Sequence, residues 1–144
     1  MEIKLNKKDN IKNISSQKCF EKLSTEINSQ LIDVRTKPEW TYVGVPDLSS
    51  INKNVIFVSW QVYPKMGINK FFENQILESN IKKDDNLYFI CRSGNRSNNA
   101  AEFLTSRGFS NCFNVIDGFE GKLNHERQRA LIDGWQFNNL PWIQ

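Results

Sequence analysis

The sequence predicts an α/β protein built on a largely parallel sheet. Two observations lead there. Short runs rich in β-branched and aromatic residues alternate with segments whose apolar residues recur at helical spacing, and Gly, Asn, Ser or Pro separates most of them. Alternation of this kind packs helices onto a parallel sheet. A third observation bounds the size: 144 residues, 39% hydrophobic and 24% charged, suit one globular domain spanning residues 1–144.

Each element has a local reason. "NISSQKCFEKLSTEIN" reads as a helix capped by Ser15 or Ser16, with Phe20, Leu23 and Ile27 on one face. "QLIDVRT" is a short buried strand stopped before Pro38, and "NVIFVSW" is a second, rich in β-formers. "NKFFENQILESN" is a helix with Asn69 as its cap. "NLYFI" is a third strand. "SNNAAEFLTSRGF" is a helix with Ala100, Phe103, Leu104 and Arg107 at helical spacing, and Gly108 suits the position just past its end. "NCFNVID" is a fourth strand. From Gly118 onward two Gly-led turns flank a polar stretch. Lys122 to Ile132 fits a helix or an ordered loop, and a short terminal helix is expected from Asp133 or Gly134, ended by Pro141.

Composition excludes several classes. A net charge of +3 is too mild for a nucleic-acid surface, and "ERQR" reads as a solvated face. The opening "MEIKLNKKDN" lacks the apolar stretch of a signal peptide, and no run of about 18 apolar residues predicts a membrane span. Cytoplasm is the expected compartment. Three cysteines, Cys19, Cys91 and Cys112, make no complete disulfide framework, and with His125 as the lone histidine no zinc site is expected. His125 is expected to face solvent. Cys19 and Cys112, in a predicted helix and strand, are expected to pack in the core. Trp135 and Trp142 either cover the site mouth or pack elsewhere.

Cys91 differs. It stands at the carboxyl end of the third strand, where ligands bind in open α/β sheets, and runs into "RSGNRS" before a helix. Thiolate, not thiol, is the nucleophile. The helix N-terminus, a nest of backbone N–H groups in the Ser-Gly-Asn turn, and the charges of Arg92 and Arg96 would each favour it. Gly94 lets the backbone curl. The result is a bowl for an anionic sulfur species or a small oxyanion.

"LIDVRTKPEW", "FICRSGNRSNNAAEFLTSRGF", "VIDGFEG" and "GWQFNNLPW" together resemble a single-domain rhodanese, in order from about Ile14 to Trp142. The resemblance implies a parallel five-stranded sheet flanked by helices on both faces, with a fifth strand needed around Ile11 to Ile14. It implies a bacterial sulfurtransferase with Cys91 as the persulfide-forming nucleophile. Arg92, Ser93, Gly94, Asn95 and Arg96 would complete the substrate-binding loop. Asp33 and Arg35 match the family's Asp-x-Arg as structural support, and Trp40 lines the pocket or covers the core. No cofactor or metal is implied. The implied partners are a small anionic sulfur donor such as thiosulfate and a thiol or protein-cysteine acceptor, with neither nucleic acid nor membrane. The chain departs from the family in "YVGVPDLSS", which lacks a family histidine, and in the residues from Lys122 to Asp133, inserted before the expected final helix.

Two other chemistries remain open. Phosphatases and arsenate reductases of related fold use a similar bowl, widened by one residue and with Arg six positions after the Cys. Here that position is Ser97, and six residues counted from Cys91 reach Arg96, which favours sulfur. A non-enzymatic persulfide carrier is the other alternative, since fold does not fix function.

Overall fold

The computed structural model describes residues 11–144, so the amino-terminal stretch read above for a leader lies outside the described residues. In chain order the elements are β1 (Lys12–Ile14), α1 (Ser16–Thr25), β2 (Ser29–Asp33), α2 (Lys37–Tyr42), β3 (Val45–Pro46), β4 (Ile56–Phe57), β5 (Gln61–Val62), β6 (Gly67–Ile68), α3 (Phe72–Glu78), β7 (Asn86–Ile90), α4 (Asn95–Ser106), β8 (Asn111–Val115) and β9 (Trp142–Ile143). Five strands form one sheet in the order β1-β8-β7-β2-β4. Every pairing in it is parallel. The fifth strand expected around Ile11 to Ile14 is β1.

Alternation along the central strands sends side chains to opposite faces, and each face is covered. Ile32, Leu87, Phe89 and Cys112 meet Phe72 and Ile76 of α3 and Ala100, Ala101 and Leu104 of α4. On the other face Leu31, Tyr88, Ile90 and Val115 meet Cys19 and Leu23 of α1, with Phe119 and Trp135 from the carboxyl-terminal segment. Among the described residues no helix is long and apolar enough to cross a membrane.

Helix ends follow their caps. The Ser15 side chain accepts from Lys18 N–H and starts α1. Asn69, expected to cap α3, does not: its carboxamide oxygen accepts from Phe71 N–H in the turn before the helix, whose N-cap is Phe71 itself. Gly108, at φ +98°, closes α4 as its C′ residue.

Three further expectations are corrected, and the choice left open for Lys122 to Ile132 is decided. Ile27 does not share the buried face with Phe20 and Leu23: α1 stops at Thr25 and Ile27 is 91% exposed. The strand expected over "NVIFVSW" pairs regularly only at Ile56–Phe57. Beyond it, Val58 N–H bonds the Asp33 carbonyl and Trp60 N–H the Val34 carbonyl as the chain leaves the sheet. No terminal helix forms from Asp133. Turns lead from there to β9, which pairs antiparallel with β3. Lys122 to Ile132 is an ordered loop, closed by Ala130 N–H on the Glu120 carbonyl and by the Arg129 guanidinium on the Gly121 carbonyl.

Candidate active site

β7 delivers Cys91 to the carboxyl edge of the sheet, and α4 begins four residues later. The strand end and the helix start fix both ends of the intervening loop, which must turn within three residues. Gly94 makes the turn at φ +107°, where a Cβ would stand 2.5 Å from the Ile116 carbonyl oxygen. The loop therefore folds back around its own sulfur. Gly94 N–H lies 3.2 Å and Ser97 N–H 3.3 Å from Cys91 Sγ. Cys91 as a whole is 1% exposed. Asn95 and Arg96, in the first turn of α4, carry N–H groups with no intrahelical acceptor.

A side-chain chain continues behind the sulfur. Ser97 Oγ lies 3.2 Å from Cys91 Sγ and donates to Asn114 Oδ1 at 2.6 Å. Asn114 Nδ2 donates to the Gly94 carbonyl and to Asn13 Oδ1, which fixes the amide's orientation. Ser97 has one hydroxyl hydrogen. With that hydrogen on Asn114, the Cys91 S–H is the donor to Ser97. Asn114 thus ties β8 to the helix end of the loop.

The other side is clamped by backbone. Phe119 N–H bonds the Cys91 carbonyl, and Glu120 and Gly121 N–H both bond the Arg92 carbonyl. Gly118 precedes them at φ +66°, so close to Arg92 that any Cβ would collide with its carbonyl. Asp117 anchors this clamp. Its carboxylate accepts from Ser16 N–H and Oγ, from Gly134 N–H and from the Asn138 amide.

The remaining sequence-predicted residues take distinct places. Arg92 is exposed and Ser93 half-buried. Arg96 is bound end-on by Glu39 of α2, Nη1 to Oε2 at 2.7 Å and Nη2 to Oε1 at 2.9 Å. Thr36 N–H and Oγ also donate to Glu39 Oε2. Burial pushes the Glu39 carboxyl up, but the Arg96 hydrogen bonds and charge, with Thr36, outweigh it and bring it from 4.5 down to about 2. Asp33 and Arg35 form a fully buried pair at 2.7 Å. The Arg35 guanidinium also donates to the Gly44 carbonyl and lies 4.3 Å from the centre of the Phe119 ring. It thereby stands under the clamp. Trp40 packs edge-on against Phe57, ring centres 5.1 Å apart.

A polar cleft of about 430 Å³ opens beside the loop, lined by Ser93, Gly94, Asn95, Asn13, Asn98, Asn99, Asn114 and Ile116. Cys19 and Cys112 belong to the two cores. Burial, with the charges of Asp117 and Glu26, pushes the Cys19 thiol well up; burial lifts Cys112 to about 11 against a hydrogen bond from Thr105. Both stay protonated thiols near neutrality.

Sequence reasoning missed Glu39, the positioning role of Ser97 and Asn114, and the clamp's hold on the loop carbonyls. A signal existed for Glu39: Thr36-x-x-Glu39 with Pro38 between them is a capping-box pattern that starts a helix. For Asn114 the signal was weaker, a polar side chain inside an otherwise apolar strand.

With this geometry in hand, known proteins supply the kinship. A family model described as the STR4 middle domain matches residues 11–144. An uncharacterized protein of Rickettsia conorii is 45% identical over 133 residues, which cover 92% of this chain and 97% of that protein. A crystal structure of a protein from M. tuberculosis is 41% identical, with a TM-score of 0.83 over 92% of this chain and 96% of that one. The chloroplastic rhodanese-like domain-containing protein 4 of Arabidopsis thaliana is 28% identical over 97% of this chain but only 28% of its own length. In fold alone, the polysulfide-sulfur transferase homodimer of Wolinella succinogenes is similar, with a TM-score of 0.66 at 20% identity over 95% of this chain and 81% of that one. Parallel sheet, cysteine loop and sequence agree: the chain belongs to the STR4 middle-domain family, within the rhodanese-like sulfurtransferase superfamily.

Proposed function

We propose that the protein is a sulfurtransferase that moves sulfane sulfur from a small anionic donor, such as thiosulfate, to a thiol or protein-cysteine acceptor through a Cys91 persulfide. The observation that carries this reading is the loop closed on its own sulfur, with Gly94 and Ser97 N–H groups both directed at Cys91 Sγ. In the first half-reaction the Cys91 thiolate attacks the outer sulfur of thiosulfate. The S–S bond of the donor breaks, and sulfite leaves with the electron pair. In the second, an acceptor thiolate attacks the terminal sulfur, and Cys91 leaves as the thiolate. Loop N–H groups stabilise negative charge in both steps at fixed positions, so no reorganisation is needed. Two half-reactions through a covalent intermediate give ping-pong kinetics.

A phosphatase or arsenate reductase is disfavoured by the same geometry. Ser97 stands where such an enzyme carries its anion-binding Arg, and its hydroxyl is committed to Asn114. Arg96, one position earlier, has both terminal nitrogens on Glu39. We read residues 1–144 as one catalytic unit working in a reducing, cytoplasmic setting, without nucleic acid, membrane, metal or cofactor.

Intact mass after thiosulfate treatment tests the reading. One added sulfur is expected on the wild-type chain and none on Cys91→Ala. An unmodified wild type, or an equal adduct on the variant, would sink it. Cys91-dependent hydrolysis of an aryl phosphate would replace it with the oxyanion chemistry.

A further inference from the structure

We infer that Glu39 is a specificity-determining residue: by occupying Arg96 it turns the site away from doubly charged inorganic donors and toward singly charged organic persulfides. The inference rests on the sulfurtransferase reading and names its donor class.

The charges around the loop carry it. Three arginines belong to the site. Arg35 is buried against Asp33 and cannot meet a ligand. Arg96 is bound by both carboxylate oxygens of Glu39, with side-chain exposures of 17% and 19%, so the pair is shielded from water and its attraction is weakly screened. Arg92 is exposed, and no carboxylate lies within salt-bridge distance of it among the described residues. Glu120 follows in the segment that binds the Arg92 carbonyl. One cation is thus left for the incoming donor. Against that balance a dianion is poorly matched, because one free guanidinium offsets only one of its charges while Glu39 holds both terminal nitrogens of Arg96. A persulfide, R–S–SH or its monoanion, is matched.

Glu39 is also held where it is. Thr36 N–H and Oγ fix the same oxygen that receives Arg96 Nη1, so the carboxylate cannot swing away when a donor arrives. Discrimination by a fixed opposing charge is a recognised route to specificity. The transfer itself balances without a further reactant. The Cys91 thiolate forms a bond to the terminal sulfur of R–S–SH, the donor S–S bond breaks, and R–S⁻ leaves with the electron pair.

Steady-state rates with thiosulfate and with 2-hydroxyethyl persulfide test this, using dithiothreitol as the common acceptor. The wild type should use the persulfide at least about tenfold better in kcat/KM. Glu39→Gln should raise kcat/KM for thiosulfate about tenfold, mainly through KM, and change the persulfide value less than about threefold. Added salt should erase the gain, and Glu39→Gln in an Arg96→Gln background should give none. Equal use of the two donors by wild type overturns the inference even if the variant fails to fold. So does a variant that accelerates both donors alike. If wild type forms no Cys91 adduct from either donor, the sulfurtransferase reading fails first. An adduct with the wrong donor preference leaves that reading standing and removes this one.

Discussion

Gly118→Ala tests whether the backbone clamp sets the position of the cysteine loop. At φ +66°, an added Cβ would lie 2.6 Å from the Arg92 carbonyl carbon and 2.7 Å from Ser93 nitrogen, where ordinary contact begins at 3.4 Å. The Arg92 carbonyl oxygen is closer still, so relief requires the two backbones to separate by about 1 Å, since neither is a flexible side-chain end. The left-handed conformation costs an alanine about 1 kcal/mol, and loosening the two N–H bonds on the Arg92 carbonyl adds roughly 0.5–1.5 kcal/mol each. The expected loss is about 2–4 kcal/mol, or a fall in Tm of roughly 7–13 °C at this chain length. The effect on rate should be larger. A displacement near 1 Å at positioned groups costs about a hundredfold, so persulfide formation should slow by about that factor. Circular dichroism melting and single-turnover mass spectrometry measure the two. Gly67→Ala is the control, because nothing lies within 4 Å of its Cβ. A Gly118→Ala protein that melts lower yet forms persulfide at the wild-type rate would refute the claim that the clamp holds the loop.

Ser97→Ala removes the hydroxyl between Cys91 Sγ and Asn114 Oδ1. It should slow persulfide formation about tenfold and leave a buried amide oxygen unpaired, a cost of about 1–3 kcal/mol, read by stopped-flow and urea unfolding. The Glu39 carboxyl, near 2 in the folded chain against an ordinary 4.5, contributes stability above pH ~4.5 that disappears as pH falls toward 2. The stability gap between wild type and Glu39→Gln, at most about 3 kcal/mol at pH 7, should therefore close over that window in urea titrations. Trp135→Ala empties a fully buried site and loses the indole N–H bond to the Pro141 carbonyl at 2.7 Å. It should cost about 3–5 kcal/mol and release the β3–β9 pairing, visible as faster amide exchange at Val45 and Ile143.

The parts of this fold legible in the sequence are those whose reasons are local. β7 and β8 lie where their apolar runs predicted them, because each run is bounded by polar residues and buried on both faces. The cysteine loop was legible for the same reason: strand end, Gly turn and helix start are contiguous. α2 was missed because its six residues give less than two turns of periodicity, so only the capping pattern could mark it. The terminal helix was misread because Gly134 and Asn138 are drawn onto Asp117, and the chain end onto β3. Those contacts join residues from 17 to about 100 positions apart, and hydrophobic spacing carries no trace of them.

That same division separates the reacting atom from the selectivity. Three groups converge on Cys91 Sγ at 3.2–3.3 Å, all from within seven residues of it. A bowl this tight has donors for charge on one sulfur and its immediate neighbour. It lacks the wider ring, and the free Arg at the sixth position, that a tetrahedral oxyanion needs. The choice of donor instead turns on Glu39, 57 residues before Arg96 in sequence and brought to it only by the pairing of β2 with β7. Counting charges along the loop gives two cations; folding leaves one. A cysteine loop therefore specifies its reacting atom by itself, whereas the charge it presents to a substrate is set by whichever strand lies alongside.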